Sequence, residues 1–194
     1  MPKHSNYRPA SSGKAARGAS RLALPNRSGY HSRSSDTRKK GCLMTYSFED
    51  FQVGSAVTLS AHTFSREEII EFASRYDPQP FHLSDEAGRA SHFGGLVASG
   101  WNTCSAMMGI LVRDMLADST SMGSPGLDNI RWLKPVRVGD SVRLTVRVLD
   151  KRVSKSKPDR GIVSTRWEAH NQDGELVLTV DSAALFGLRE PGAI

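Results

Sequence analysis

One uncharged run constrains the fold of this chain more than any other feature of its sequence. It extends from Phe93 to Val112 without an acidic or basic side chain, and the part from Ala106 onward is almost entirely apolar. A helix that is apolar on all sides is stable only when other elements surround it. The glycines and hydroxyl side chains within the run argue against a membrane span. We therefore expect a buried helix and no membrane association.

The C-terminal half supplies the elements that could surround this helix. Four segments have the composition or alternation of strands: 129–133, 142–148, 163–169 and 176–185. Asp173-Gly174, between the last two of these segments, predicts a hairpin turn. With a further predicted strand over 56–60, the pattern indicates an α+β fold, in which an antiparallel sheet wraps around a long central helix.

A short segment interrupted by prolines carries the strongest chemical signal. Asp77 and His82 lie five positions apart, with Pro78 and Pro80 between them. Each proline disfavours helical geometry for the residue before it, so a preceding helix should end at Tyr76 and a tight, rigid turn should follow. Such a turn can direct an acid and an imidazole at one water molecule. A helix exit beside a packed histidine is the plain structural alternative.

Two predicted helix starts lie on either side of that segment. Residues 65–68 have the pattern of a capping box, in which Ser65 accepts from the amide of Glu68 and Glu68 reaches back to the cap. The uncharged helix should begin near Ser99 or Gly100, leaving unpaired backbone N–H groups at the positive end of the helix dipole. Ser99 is predicted to cap that helix, because no Gly-x-Ser-x-Gly elbow surrounds it.

Four segments, taken together and in this order, resemble the MaoC-like acyl dehydratases. These are hot-dog-fold proteins that include the (R)-specific enoyl-CoA hydratases. The matching segments are Phe51-Gln52-Val53-Gly54, residues 76–82, residues 94–101 and residues 134–140. The resemblance spans about residues 46–188, which is nearly all of the expected globular part.

The resemblance implies that the substrate is an acyl chain held as a thioester on coenzyme A or a carrier protein. It also implies that Asp77 and His82 act on water, and that the amide of Gly100 polarises the thioester carbonyl. Gln79 stands where the hydratase motif Asp-x-Asn-Pro-x-His has asparagine, which leaves the exact substrate open. Gln79 and Ser99 are therefore candidates for substrate binding. No cofactor is expected, and the histidine spacing indicates no metal site.

Two other functions stay open alongside a hydratase. A hot-dog thioesterase usually carries its carboxylate on the central helix, and residues 100–112 contain no acid. A non-catalytic module that binds acyl-CoA is the other alternative. It would keep its affinity when Asp77 is replaced by asparagine, whereas an enzyme would lose turnover.

Several cations could contact the phosphates of coenzyme A. Arg152 and Lys155 lie in a basic loop over 151–160, for which a solvated turn is an equally good interpretation. Arg131 and Lys134 compete for the same role. An open sheet edge would also favour pairing of two copies, so a homodimer or higher homo-oligomer is expected.

The N-terminal segment differs in composition from the rest of the chain. Residues 1–43 carry a charge of +9 and the whole chain +6, so residues 44–194 carry −3. The segment is predicted to be disordered and the domain to span 44–194. A mitochondrial transit peptide, a nucleic-acid-binding arm or translation from Met44 could explain the segment, and we favour the last. The acidic domain predicts no nucleic-acid partner, and only two cysteines suit a cytoplasmic protein.

Overall fold

The computed structural model describes residues 46–190 of the chain. The predictions made for residues 1–43 therefore concern a segment outside the described residues, and they stay predictions.

One antiparallel sheet of five strands forms the body of the described domain, in the order β1-β3-β4-β5-β2. The strands are β1 (Ala56–Thr63), β2 (Gly126–Trp132), β3 (Ser141–Val153), β4 (Arg160–His170) and β5 (Leu176–Gly187). Buried and partly exposed residues alternate along β4, as expected for a strand with one face on a core. The predicted turn at Asp173-Gly174 joins β4 to β5, with φ of +77° at Gly174. The antiparallel strand prediction is confirmed.

The uncharged run forms the central helix α4 (Gly100–Leu111), which continues as a π-helical turn, Val112–Leu116. Ser99 caps it by accepting from the amide of Trp101 at 3.2 Å. Met107 and Ile110 are completely buried in the same core as the inward residues of β3 to β5. The sheet thus wraps around this helix, and the α+β prediction is confirmed.

Three shorter helices, α1 (Arg66–Tyr76), α2 (Pro80–Leu83) and α3 (Asp85–Ala90), connect β1 to α4. Helix α1 ends at the residue expected from Pro78. The tight turn predicted for His82 is wrong in detail, because His82 lies on the single-turn helix α2, with Pro80 at its first position. Proline is suited to that position, since its fixed φ is already helical and its missing N–H would be unpaired anyway.

The capping box predicted at the start of α1 is only half formed. Ser65 accepts from the amide of Glu68 at 3.1 Å, as expected. The Glu68 carboxylate does not return to the cap, because it is bonded elsewhere. His62 Nε2 lies 2.8 Å from Glu68 Oε2, and Asn102 Nδ2 donates to Glu68 Oε1 at 3.3 Å. Glu68 therefore joins β1 and α1 to the first turn of α4.

No helix within residues 46–190 has the length and apolar character needed to cross a bilayer.

Candidate active site

Asp77 directs its carboxylate toward the start of α4. It caps the C-terminus of α1, where its backbone leaves the helix with φ of −152° and ψ of 68°. The Ser99 hydroxyl donates to Asp77 Oδ2 at 2.6 Å, and the Gln79 amide donates to Asp77 Oδ1 at 2.8 Å. The Ser99 hydrogen bond, with help from the Gln79 hydrogen bond, lowers the pKa of Asp77 although partial burial opposes the shift. Asp77 is therefore a carboxylate at neutral pH.

The His82 ring is buried and held in one orientation. Its Nδ1 lies 2.8 Å from the carbonyl oxygen of Val97. Because a carbonyl can only accept, Nδ1 must carry the hydrogen, and Nε2 of the neutral ring then presents a lone pair. His82 Nε2 lies 3.5 Å from Asp77 Oδ2. One water molecule that lies beside the pair, within hydrogen-bond distance of both atoms, can therefore contact the two acceptors together.

The first residue of α4 provides a potential donor beside this pair. Within residues 46–190, the Gly100 N–H has no backbone acceptor, because the first amides of a helix have no carbonyl one turn before them. The Ser99 side chain bonds the next amide along, that of Trp101. An unpaired N–H at a helix N-terminus can stabilise negative charge on an oxygen. A Cβ atom at position 100 would lie only 2.5 Å from the Trp132 ring, so that site accommodates glycine alone without movement of the indole.

These groups open into one cavity of about 520 Å³. Asp77, His82 and Gly100 line it on the polar side. The remaining wall is mainly apolar and comes from the loop before α4, the first turn of α4, the end of β2 with the connection that follows it, and the start of β5. Its members include Phe93, Val97, Trp101, Trp132, Leu133, Val136 and Val177. The cavity can therefore hold a largely apolar substrate with one polar, reactive end.

The structure brings five of the predicted site residues together. Asp77, Gln79, His82 and Gly100 line the cavity, and Ser99 lies behind it, fully buried against Asp77. Their chemical roles stay predictions.

The four predicted phosphate-binding cations are scattered. Lys134 lines the cavity, and its ammonium pairs with Glu175. Arg131 alternates with Trp132 along β2 and so faces away from the cavity. Arg152 lies near the end of β3, and Lys155 lies in the loop that follows. That loop is next to the far end of β5, where Val153, Gly161 and Phe186 are aligned, whereas the cavity meets Val177 at the start of β5.

Several residues at the site were not found from the sequence. The Val97 carbonyl orients His82, and the Arg137 guanidinium donates to the Phe93 carbonyl at 2.8 Å, which holds the loop over the cavity. Trp132 covers Gly100. Backbone carbonyls leave no trace in a sequence, but an aromatic residue at the end of a strand just before the Lys134-Pro135 motif could have been noticed.

Within the described residues, no group of three or more histidine, cysteine or acidic side chains is arranged to hold a metal ion.

Comparison with known proteins identifies the family of this chain. The sequence profile of the family described as MaoC like domain matches residues 50–169, which is more than half of the chain. The chain belongs to the MaoC-like domain family. A MaoC-like dehydratase from Rhodospirillum rubrum is 37% identical, covers 74% of this chain and 98% of its own, and superposes with a TM-score of 0.69.

Two further proteins are similar to this MaoC-like protein, one in sequence and one in fold. An (R)-specific enoyl-CoA hydratase from Rhodospirillum rubrum is 28% identical over 111 residues, which is 55% of this chain and 72% of the relative. A Mycobacterium tuberculosis protein with a double hot-dog fold has 19% identity and a TM-score of 0.63, covering 77% of this chain and 47% of its own. At that identity it shows the fold alone. The expected hot-dog fold and MaoC-like family are confirmed.

Proposed function

We propose that this protein adds water to the double bond of a 2-enoyl thioester, or removes water from the corresponding 3-hydroxyacyl thioester. The observation that supports this most directly is the pair of Asp77 Oδ2 and His82 Nε2, which are 3.5 Å apart and face one cavity. Both atoms are acceptors, so they suit a water molecule that must be oriented and deprotonated.

The reaction transfers one hydroxyl and one proton across a carbon–carbon double bond. The shared water donates one hydrogen to each acceptor, which turns an oxygen lone pair toward the β-carbon. As the C–O bond forms, the Asp77–His82 pair takes a proton from the water and returns one to the α-carbon. The reverse sequence eliminates water. Because the two groups act on the same water, we treat them as one titrating unit.

Negative charge develops on the thioester oxygen as water attacks. The free N–H of Gly100, at the positive end of the α4 dipole, supplies a donor for that charge. Removing one such donor costs about 3 kcal/mol in other enzymes. Gly100 and the Asp77–His82 pair line the same cavity, so a bound enoyl thioester can meet all three groups at once.

Coenzyme A is the proposed carrier of the acyl chain, in line with the name of the (R)-specific enoyl-CoA hydratase relative. Lys134, at the cavity wall, is the predicted cation best placed for its phosphates. Arg137 is a further candidate, since its guanidinium lies beside the loop that covers the cavity.

We also propose that two copies pair along β2. This strand is at one edge of the sheet. Exposed apolar side chains lie along it, along α4 and at the start of the π-helical turn, namely Leu127, Trp132, Trp101, Met108 and Val112. Pairing would satisfy the open backbone edge and cover these side chains. Light scattering coupled to gel filtration should give the mass of two chains, and a monomer at micromolar concentration would contradict the pairing.

Loss of the enoyl-thioester absorbance tests the reaction. Wild type should consume crotonyl-CoA or a longer trans-2-enoyl-CoA, and Asp77→Asn should not. Asp114→Asn is a matched control, because Asp114 also has a lowered pKa, caused first by Ser60, but does not line the cavity. A wild type that binds acyl-CoA without hydrating any chain length would instead indicate a binding module.

A further inference from the structure

One buried amide side chain in α4 carries an unpaired oxygen. Asn102, in the first turn of this helix, is only 3% exposed. Its Nδ2 donates to Glu68 Oε1 at 3.3 Å, but its Oδ1 has no hydrogen-bond partner among the described residues. Leaving a buried amide oxygen unpaired costs free energy that an apolar side chain at the same position would not cost. Packing alone therefore favours an apolar residue here, and the bond to Glu68 needs a separate explanation.

The Glu68 carboxylate does not need Asn102 as a hydrogen-bond donor. His62 Nε2, on β1, already lies 2.9 Å from Glu68 Oε1 and 2.8 Å from Glu68 Oε2. The Glu68 side chain is also 33% exposed, so water can reach its carboxylate. The contribution that Asn102 alone makes is a direct bond between the first turn of α4 and the first turn of α1.

Apolar packing holds α1 only loosely against the rest of the domain. Ile69 and Ala73 are the buried residues among the eleven of this helix. A cleft of about 330 Å³ opens between α1 and α4, with Phe72 and Tyr76 on one side and Ala106 on the other. The polar bonds at the two ends of α1 are therefore important for fixing its position relative to α4.

We propose that Asn102 is a positioning residue for Asp77. Asn102 does not line the active-site cavity, but its bond to Glu68 fixes the first turn of α1, and α1 carries Asp77 at its other end. Asp77 must contact the same water molecule as His82, and a misplacement of about 1 Å can cost about a hundredfold in rate. The inference rests on the proposed function, because it concerns the placement of the proposed acid–base pair.

Asn102→Leu tests the inference, because leucine has the same branching at Cγ and no oxygen to leave unpaired. We expect kcat for hydration of crotonyl-CoA to fall about tenfold, because Asp77 is less well placed. The affinity for butyryl-CoA, measured by titration calorimetry, should stay within about twofold of wild type. The midpoint of thermal unfolding should rise by about 3 °C, because the unpaired buried oxygen is gone. A purely structural residue would instead lose stability and activity together.

The other partner in the bond gives a second way to break it. Glu68→Ala should also lower kcat about tenfold, whereas Glu68→Gln keeps an acceptor for Asn102 Nδ2 and should retain most of the activity. Combining Asn102→Leu with Glu68→Ala should cost no more than either change alone, because both remove the same interaction. Glu71→Ala is the matched control, since the Glu71 carboxylate pairs with Arg75 of the same helix, and it should leave kcat unchanged.

Other outcomes would overturn the inference. A wild-type kcat in Asn102→Leu, or additive losses in the double variant, would show that the bond does not place Asp77. A fall in kcat together with a lower unfolding temperature would show that the whole fold has loosened. If wild type hydrates no enoyl-CoA, the proposed function and this inference fail together. If wild type and Asn102→Leu are equally active, this inference alone fails.

Discussion

Asp77 and Asp181 are two aspartates whose pKa values are both lowered, and they differ in what lowers them. Asp181, on β5, is bound by the Arg166 guanidinium through two hydrogen bonds of 2.7 and 2.9 Å, with Asn129 as a further donor. Asp77 is held by the neutral side chains of Ser99 and Gln79. A carboxylate paired with a cation has its charge neutralised, whereas one held by neutral donors keeps its charge available. A lowered pKa alone therefore does not distinguish a stabilising aspartate from a reactive one.

The largest expected effect is the difference in kcat/KM between two single variants, Asp77→Asn and Asp181→Asn. Asp77→Asn should lower kcat/KM for an enoyl-CoA about a thousandfold, because the pair that deprotonates water is lost. Asp181→Asn should leave kcat/KM close to wild type, since Asp181 contacts Arg166 and Asn129 on the sheet. Steady-state hydration assays on both variants make the measurement, and equal losses would remove the distinction.

His82→Gln tests the contribution of the imidazole to the Asp77–His82 pair. Glutamine can keep a donor for the Val97 carbonyl but has no basic nitrogen that can take a proton from water, so kcat/KM should fall about a hundredfold. His62→Gln is the matched control, because His62 pairs with Glu68 and does not line the cavity. Full activity in His82→Gln would exclude the imidazole from the reaction.

Ser99→Ala tests whether neutral donors hold Asp77 in its charged form. Loss of the hydroxyl should raise the pKa of Asp77, so the acid limb of the kcat/KM profile should move to higher pH. Activity at neutral pH should fall about tenfold. Ser84→Ala removes a comparable cap, that of α3, without touching Asp77. A similar pH shift in Ser84→Ala would mean that helix fraying, and not the hydrogen bond, moves the profile.

The smallest expected effect concerns stability. Asp181→Asn should lower the free energy of unfolding at neutral pH by about 1 kcal/mol, because the Arg166 fork is partly exposed. The folded-state pKa of Asp181 lies below its unfolded value of about 3.9, so its contribution is full above that pH. The contribution is lost as pH falls through the folded pKa. Urea titrations from neutral pH into the acid range should therefore show that the free energies of unfolding of wild type and Asp181→Asn become equal at low pH.

The sequence predicted the fold well because the deciding signals are local or periodic. Ser99, a cap residue within the uncharged run, and the alternation along β3 predict α4 and the sheet directly. The prolines between Asp77 and His82 predicted that both side chains face the same point. They did not predict the helical turn that carries His82. Backbone carbonyls and long-range contacts were invisible in the sequence. The Val97 acceptor, the place of Trp132 above Gly100 and the remote position of Arg152 all depend on how distant segments meet.

The contact that Glu68 makes in place of a full capping box limits how much the length of α1 can vary. Glu68, in the first turn of this helix, is bonded to Asn102 of α4, and Asp77, at its other end, is bonded to Ser99 just before α4. Because both ends of α1 are attached to the start of α4, the length of α1 fixes the position of Asp77 relative to α4. One inserted residue would turn Asp77 by about 100° around the helix axis and displace it by about 1.5 Å. The eleven-residue length of α1 therefore sets the geometry of the candidate active site, and loops elsewhere should tolerate insertions that this helix cannot.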